Sequence, residues 1–184
     1  MNEIDFSDMK ALQSWENILG NNNIKWDQVF KHIGNHTINT KVRNFQYKLL
    51  HRILPTNKIL HKMNIRDNSI CNFCNAEEDS IIHYLIIKQF WNEINRFINI
   101  QLSLDINIAR NNVILNDTRE KSEIINPVIL LAKYYIHVSK WMNTSPSIDH
   151  FINYMNKQEF LERKIAFNQD KLHIHYKKME GGTE

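Results

Sequence analysis

Helix breakers are scarce along this chain: four glycines and three prolines serve 184 residues. A sandwich or barrel needs turn residues roughly every 8–12 positions. Too few are available here, so the expected fold is mainly α, a multi-helix domain. Gly20, Gly34, Pro55 and Pro146 fall between stretches of helical spacing, where they act as punctuation.

The apolar periodicity supports this reading. Met9, Leu12, Trp15 and Leu19 share one stripe over residues 6–19, with Ser7 as cap and Gly20 as stop. Trp26, Phe30 and Ile33 predict a second helix ending near Gly34. Thr40 is expected to cap a third, with Val42, Phe45, Leu49 and Ile53 inward. Pro55 ends it and opens a fourth over 57–63, with Ile59, Leu60 and Met63 inward. A loop over 67–75 then leads into one long helix over 77–100, its acids at the start and Ile82, Leu85, Ile86, Phe90, Ile94 and Phe97 on the buried side. Residues 103–118 admit a short strand or two. Residues 122–142 are so apolar, through Ile129, Leu130, Leu131, Tyr134 and Val138, that they predict the central helix. Ser147 caps a last helix reaching Lys177, and 179–184 read as a disordered tail. The expected organisation is a helical segment over 1–39, a basic and cysteine-bearing region over 40–100, and a helical segment over 101–178 packed with it as one domain.

The net charge of +3 hides an asymmetry. Lys41, Arg43, Lys48, Arg52, Lys58, Lys62 and Arg66 fall within 40–66, where there is no Asp or Glu, so this stretch is +7 and the rest of the chain −4. Mixed signs are the rule on ordinary surfaces, so an acid-free run points to an anionic partner. At 3.6 residues per turn Lys41, Lys48 and Arg52 share a helix face, predicting an exposed ridge that Lys58 and Lys62 extend. Tyr47 and His51 lie on neighbouring sides, suited to stacking on unpaired bases of RNA or single-stranded DNA.

The only two cysteines, Cys71 and Cys74, are too close in sequence to staple a domain. Their spacing suits a metal knuckle, or a redox pair without the usual strand–turn–helix setting. His83 follows nine residues on and supplies a third zinc ligand. A fourth, one turn later, would fall at Lys88, whose ammonium cannot ligate. Zinc therefore has an incomplete ligand set, leaving three readings: a distant His51 or His61 completes it, water does so weakly, or the site is degenerate and the knuckle serves packing.

The words RNFQYKLLHRILPTNKIL, CNFC, an acidic patch, IIHYL and KQFWNEI occur here in that order. Together they resemble the zinc-binding domain downstream of the reverse transcriptase in LINE-type, non-LTR retrotransposon proteins. ILLAKYYIHVSKWMN is similar to the helical segment that follows it there. The resemblance spans 26–177 and is strongest over 40–94. It implies that Cys71, Cys74 and His83 match three of four metal ligands. The stretch from His83 to Trp91 is shorter than the family pattern, and the last Cys is missing. It also implies that Lys41, Arg43, Lys48 and Arg52 match a basic helix near RNA or target DNA, with a reverse-transcriptase core as neighbour.

No Tyr-X-Asp-Asp pair, phosphate loop or Ser-His-Asp order occurs, and Asp149, Glu159 and Glu162 read as solvated helix charges. The expectation is a non-enzymatic nucleic-acid-binding module, a fragment or relic of a retroelement protein. The alternative is a helical scaffold that binds protein, with Trp15 and Trp141 as docking candidates or core. No leader-like opening and no apolar run near 20 residues occurs. An intracellular chain, nuclear or cytoplasmic and without a membrane partner, is therefore expected.

Overall fold

The computed structural model describes residues 9–85, 87–116 and 121–170. Expectations at Ser7, Ile86 and Lys177 and for the 179–184 tail fall outside them. Among the described residues nine helices occur and no strand: α1 (Lys10–Leu19), α2 (Trp26–His36), α3 (Thr40–Leu50), α4 (Asn57–Lys62), α5 (Ile81–Leu85), α6 (Lys88–Leu102), α7 (Arg110–Leu115), α8 (Ser122–Trp141) and α9 (Ile148–Asn168). The fold is mainly α, as expected. The ambiguous stretch near 110 contains a short helix, α7, and a single bridge among the described residues pairs Ile70 with Glu78 in the cysteine loop.

Helix ends follow local chemistry. Gly20 stops α1 at φ 63°, a left-handed conformation that a Cβ disfavours. The Asn39 side chain caps α3 by accepting from the Lys41 N–H, so Thr40 is the first helical residue and not the cap. Thr56 caps α4 and Ser147 caps α9. Two expectations fail at the ends of α3 and α4. The chain leaves α3 after Leu50 and turns at 51–52, so Ile53 falls past the helix and stays exposed, and Met63 lies exposed beyond α4. The long helix over 77–100 is instead two helices, α5 and α6. Asp79 and Ser80 are held in non-helical backbone, and the Ser80 hydroxyl accepts from the His83 N–H to start α5.

Helix α8 is the hub and packs against α2, α3, α5, α7 and α9. Ile125, Ile129, Leu130, Ala132 and Ile136 are fully buried on it. Residues 77–100 reach α8 through α5 and through Phe90 of α6, whose ring lies 5.8 Å from Tyr135. Phe151 anchors α9 edge-on to Phe90 at 5.8 Å. Trp15 of α1 is buried, and its indole N–H donates to the Leu50 carbonyl at 2.9 Å, satisfying the end of α3. Trp15 is thus core and not a docking residue.

Two buried polar contacts were hidden in the apolar pattern. Lys133 of α8 is wholly buried and donates to the Gln46 Oε1 of α3 at 2.7 Å, while Gln46 Nε2 donates to the Ile114 carbonyl of α7. The second contact is between Lys140 of α8 and Asp79, which lies just before α5.

Candidate metal centre and nucleic-acid interface

The Ile70–Glu78 bridge closes a tight loop around the cysteines. The Cys71 N–H donates to the Glu77 carbonyl at 2.8 Å and the Asp79 N–H to the Ser69 carbonyl at 2.8 Å. Within it the Phe73 N–H points at Cys71 Sγ and the Glu77 N–H at Cys74 Sγ, each at 3.4 Å. Amides aimed at sulfur stabilise thiolate, the form that binds metal. At Cys74 the N–H groups of Glu77 and Ala76, with His83 assisting, bring the thiol down to about 7. Burial does the opposite at Cys71 and raises it.

Helix α5 carries His83 to this loop. Nε2 of His83 faces Cys74 Sγ at 3.3 Å, and the ligand atoms of Cys71, Cys74 and His83 all lie within 4.8 Å of one another. A tetrahedral zinc with sulfur at about 2.3 Å and nitrogen at about 2.0 Å separates its ligands by roughly 3.5 Å, so this donor set fits the ion. At another edge of the ring His83 Nδ1 meets the Glu77 carboxylate at 3.0 Å. That contact fixes the tautomer that leaves the Nε2 lone pair for metal. The site presents three protein ligands among the described residues. His51 and His61 are not among them. The His51 ring lies against Tyr47, tilted with centroids 4.1 Å apart, and His61 Nδ1 lies 3.0 Å from the Arg66 carbonyl. The distant-histidine reading of the fourth ligand is therefore set aside.

Asp79 ties the loop to the body of the fold. Its buried Oδ2 accepts from the Asn57 N–H at the start of α4 at 2.5 Å and pairs with Lys140 Nζ. Asn57 in turn donates through Nδ2 to the Ile70 carbonyl at 2.6 Å and to Asn72 Oδ1 at 2.7 Å. Glu77, Asp79 and Lys140 went unnoticed in the sequence. The one signal was the acidic patch itself, read as helix-dipole charge when two of its acids hold the knuckle.

The basic residues divide into groups. Lys41 and Lys48 stand exposed on α3, Lys62 on α4, and no carboxylate pairs with any of the three among the described residues. Lys58 is exposed but meets Glu78 at 2.5 Å, a partner the fold brings in from the cysteine loop. Arg43 Nε donates to the Thr37 carbonyl at 2.6 Å. Arg52 leaves the expected ridge: past the end of α3 it adopts φ 56°, and its guanidinium lies 4.7 Å over the Trp15 ring, half-buried. Tyr47 is exposed beside His51.

Trp141 is not core. It closes α8 on the surface, 53 % exposed. Its Nε1 donates to His137 Nε2 at 3.2 Å. Burial, with Lys140 and Lys48 adding to it, holds His137 down to about 4, so near neutrality the ring is the neutral acceptor this bond needs.

No described helix is long and apolar enough to cross a membrane. Neither a curated protein nor a solved structure matches the chain. Residues 10–94 match the family model described as zinc-binding in reverse transcriptase. The match runs from the start of α1 into α6 and takes in the basic helix, the knuckle and His83. Over this stretch the chain is similar to the zinc-binding family of reverse transcriptases, whose conserved unit is an accessory domain and not the polymerase domain.

Proposed function

We propose that the chain is a non-catalytic module that binds RNA or single-stranded DNA, the accessory unit of a LINE-type, non-LTR element or a detached or relic piece of one, working inside the cell. The observation that carries this reading is the acid-free exposure of Lys41, Lys48 and Lys62. Uncompensated ammonium groups on adjoining helices bind phosphates by releasing counterions, with little regard to sequence. Arg43, His51, Arg52 and Lys58 flank this surface. Their present partners make them secondary contacts. Zinc on Cys71, Cys74 and His83 would stiffen the loop that Asp79 anchors beside α4.

Fluorescence anisotropy with a labelled single-stranded RNA tests the reading. Lys41→Ala with Lys48→Ala should weaken binding alike for unrelated sequences. The slope of log K against log salt should flatten by roughly 0.7 per lost phosphate contact. Unchanged affinity in the double variant at low and moderate salt would overturn it.

A second reading, docking on a protein such as a reverse-transcriptase core, is favoured by α9, which exposes Phe160, Leu161, Ile165 and Phe167. Absence of nucleic-acid affinity even at low salt would leave this reading standing alone.

A further inference from the structure

A groove of about 410 Å³ runs between α3 and α8, with Lys41 and Lys48 on one wall and Trp141 on the other. A second hollow of about 220 Å³ adjoins it, because Pro55 and Trp141 line both. The second hollow carries Arg66 and Asn143 and reaches Asn72 of the cysteine knuckle. Among the described residues no carboxylate lines either one. The path therefore has cations at both ends, carboxamides on one side and an exposed indole in the middle.

The indole is held in place. Its N–H is engaged by His137, whose ring lies edge-on to it at 6.2 Å and itself packs at 4.9 Å on the buried Phe45. A positioned aromatic face needs no ordering at the moment of binding. Aliphatic ligands gain nothing from flanking cations, and a duplex hides its base faces. A single strand offers both anionic phosphates and free base faces.

We infer that Trp141 is a base-stacking platform, and that a single-stranded polynucleotide runs through this groove from Lys41 and Lys48 past Trp141 to Arg66, alongside the cysteine knuckle. This rests on the nucleic-acid reading above and adds to it a strand path, a preference for single strands and a specific contact outside the basic helix. Asn143, exposed in the far hollow, offers its amide N–H groups to base edges or sugars, while Asn72 beside it is engaged with Asn57 and Asn143 and shapes the wall.

The fluorescence of the protein reports the contact directly. Trp15, Trp26 and Trp91 are buried, so quenching by a stacked base reads Trp141. Saturating the full chain with a single-stranded RNA or DNA dodecamer should quench this emission, and the matching duplex should not. Trp141→Ala should weaken single-strand binding roughly 5- to 150-fold, the range of one lost base–aromatic stack, and leave duplex binding unchanged. Trp141→Phe should retain most of the affinity, since its ring still stacks. Lys41→Ala with Lys48→Ala should weaken single strand and duplex together. Unaltered single-strand affinity in Trp141→Ala, alongside weakened binding by the lysine double variant, overturns the platform and leaves the general reading intact. A parent protein that binds but shows no quenching also overturns it. No binding by the parent at low salt overturns both.

Discussion

Replacing Asp79 or Lys140 singly should destabilise the protein far more than replacing both. The pair lies inside the fold, with side-chain exposures of 0 % and 6 %. Burial lowers Lys140, while Asp79 acts in the opposite direction by hydrogen bond and charge. Removing one partner strands the other in an apolar setting, at a cost of about 3–5 kcal/mol. Asp79→Leu belongs at the upper end. It also frees the Asn57 N–H that starts α4, a lost bond worth about 1 kcal/mol. Lys140→Met keeps most of the stem volume and leaves Asp79 one donor, so about 3 kcal/mol is expected. In the double variant neither charge is buried, and its cost should fall short of the summed singles by at least about 2 kcal/mol. Urea unfolding followed by circular dichroism, with a chelator present so that metal linkage does not enter, measures all four corners of the cycle. Single costs that add to within about 0.5 kcal/mol would refute the reasoning, because they would show two independent sites instead of one pair.

Stability should also climb between pH 4 and 6.5 through His137. Its ring is held at about 4 in the fold against 6.5 otherwise, so the unfolded chain binds the extra proton and folding gains about 3 kcal/mol as pH rises across that window. In His137→Gln that share of the slope should vanish, and an unchanged pH profile would refute it. Lys133 acts in the same direction at higher pH: burial lowers it well below 10.5, so stability should rise as pH approaches the unfolded value and this rise should disappear in Lys133→Met. Glu77→Gln should weaken cobalt or zinc binding about 10-fold by direct titration, because the carboxylate orients His83. His83→Ala should weaken it further.

The sequence determined the helical class, because too few breakers exist for a sheet and because Leu12, Trp15, Phe45, Leu49, Ile129 and Leu130 follow helical spacing and are buried. Periodicity is a local property, and so is the Cys71–Cys74 knuckle with its nearby His83. Short-range spacing alone brings these to one place, and the fold holds them there. What lay beyond reach was the partner of each polar residue across the chain. Arg52 shares a helical phase with Lys48 on paper, yet α3 stops at Leu50 and the guanidinium turns back onto Trp15. Lys58 has no acid within its own stretch, yet the loop returns Glu78 to it. Asp79 and Lys140 are 61 positions apart, and only the packing of the knuckle against α8 makes them a pair. Trp141 carries the apolar signature of a core residue but lies at the end of α8, where it stays half-exposed and the groove begins. Hydrophobic pattern fixes which face of a helix turns inward. Where that helix ends, and what meets its polar groups there, is decided by the three-dimensional closure of distant segments.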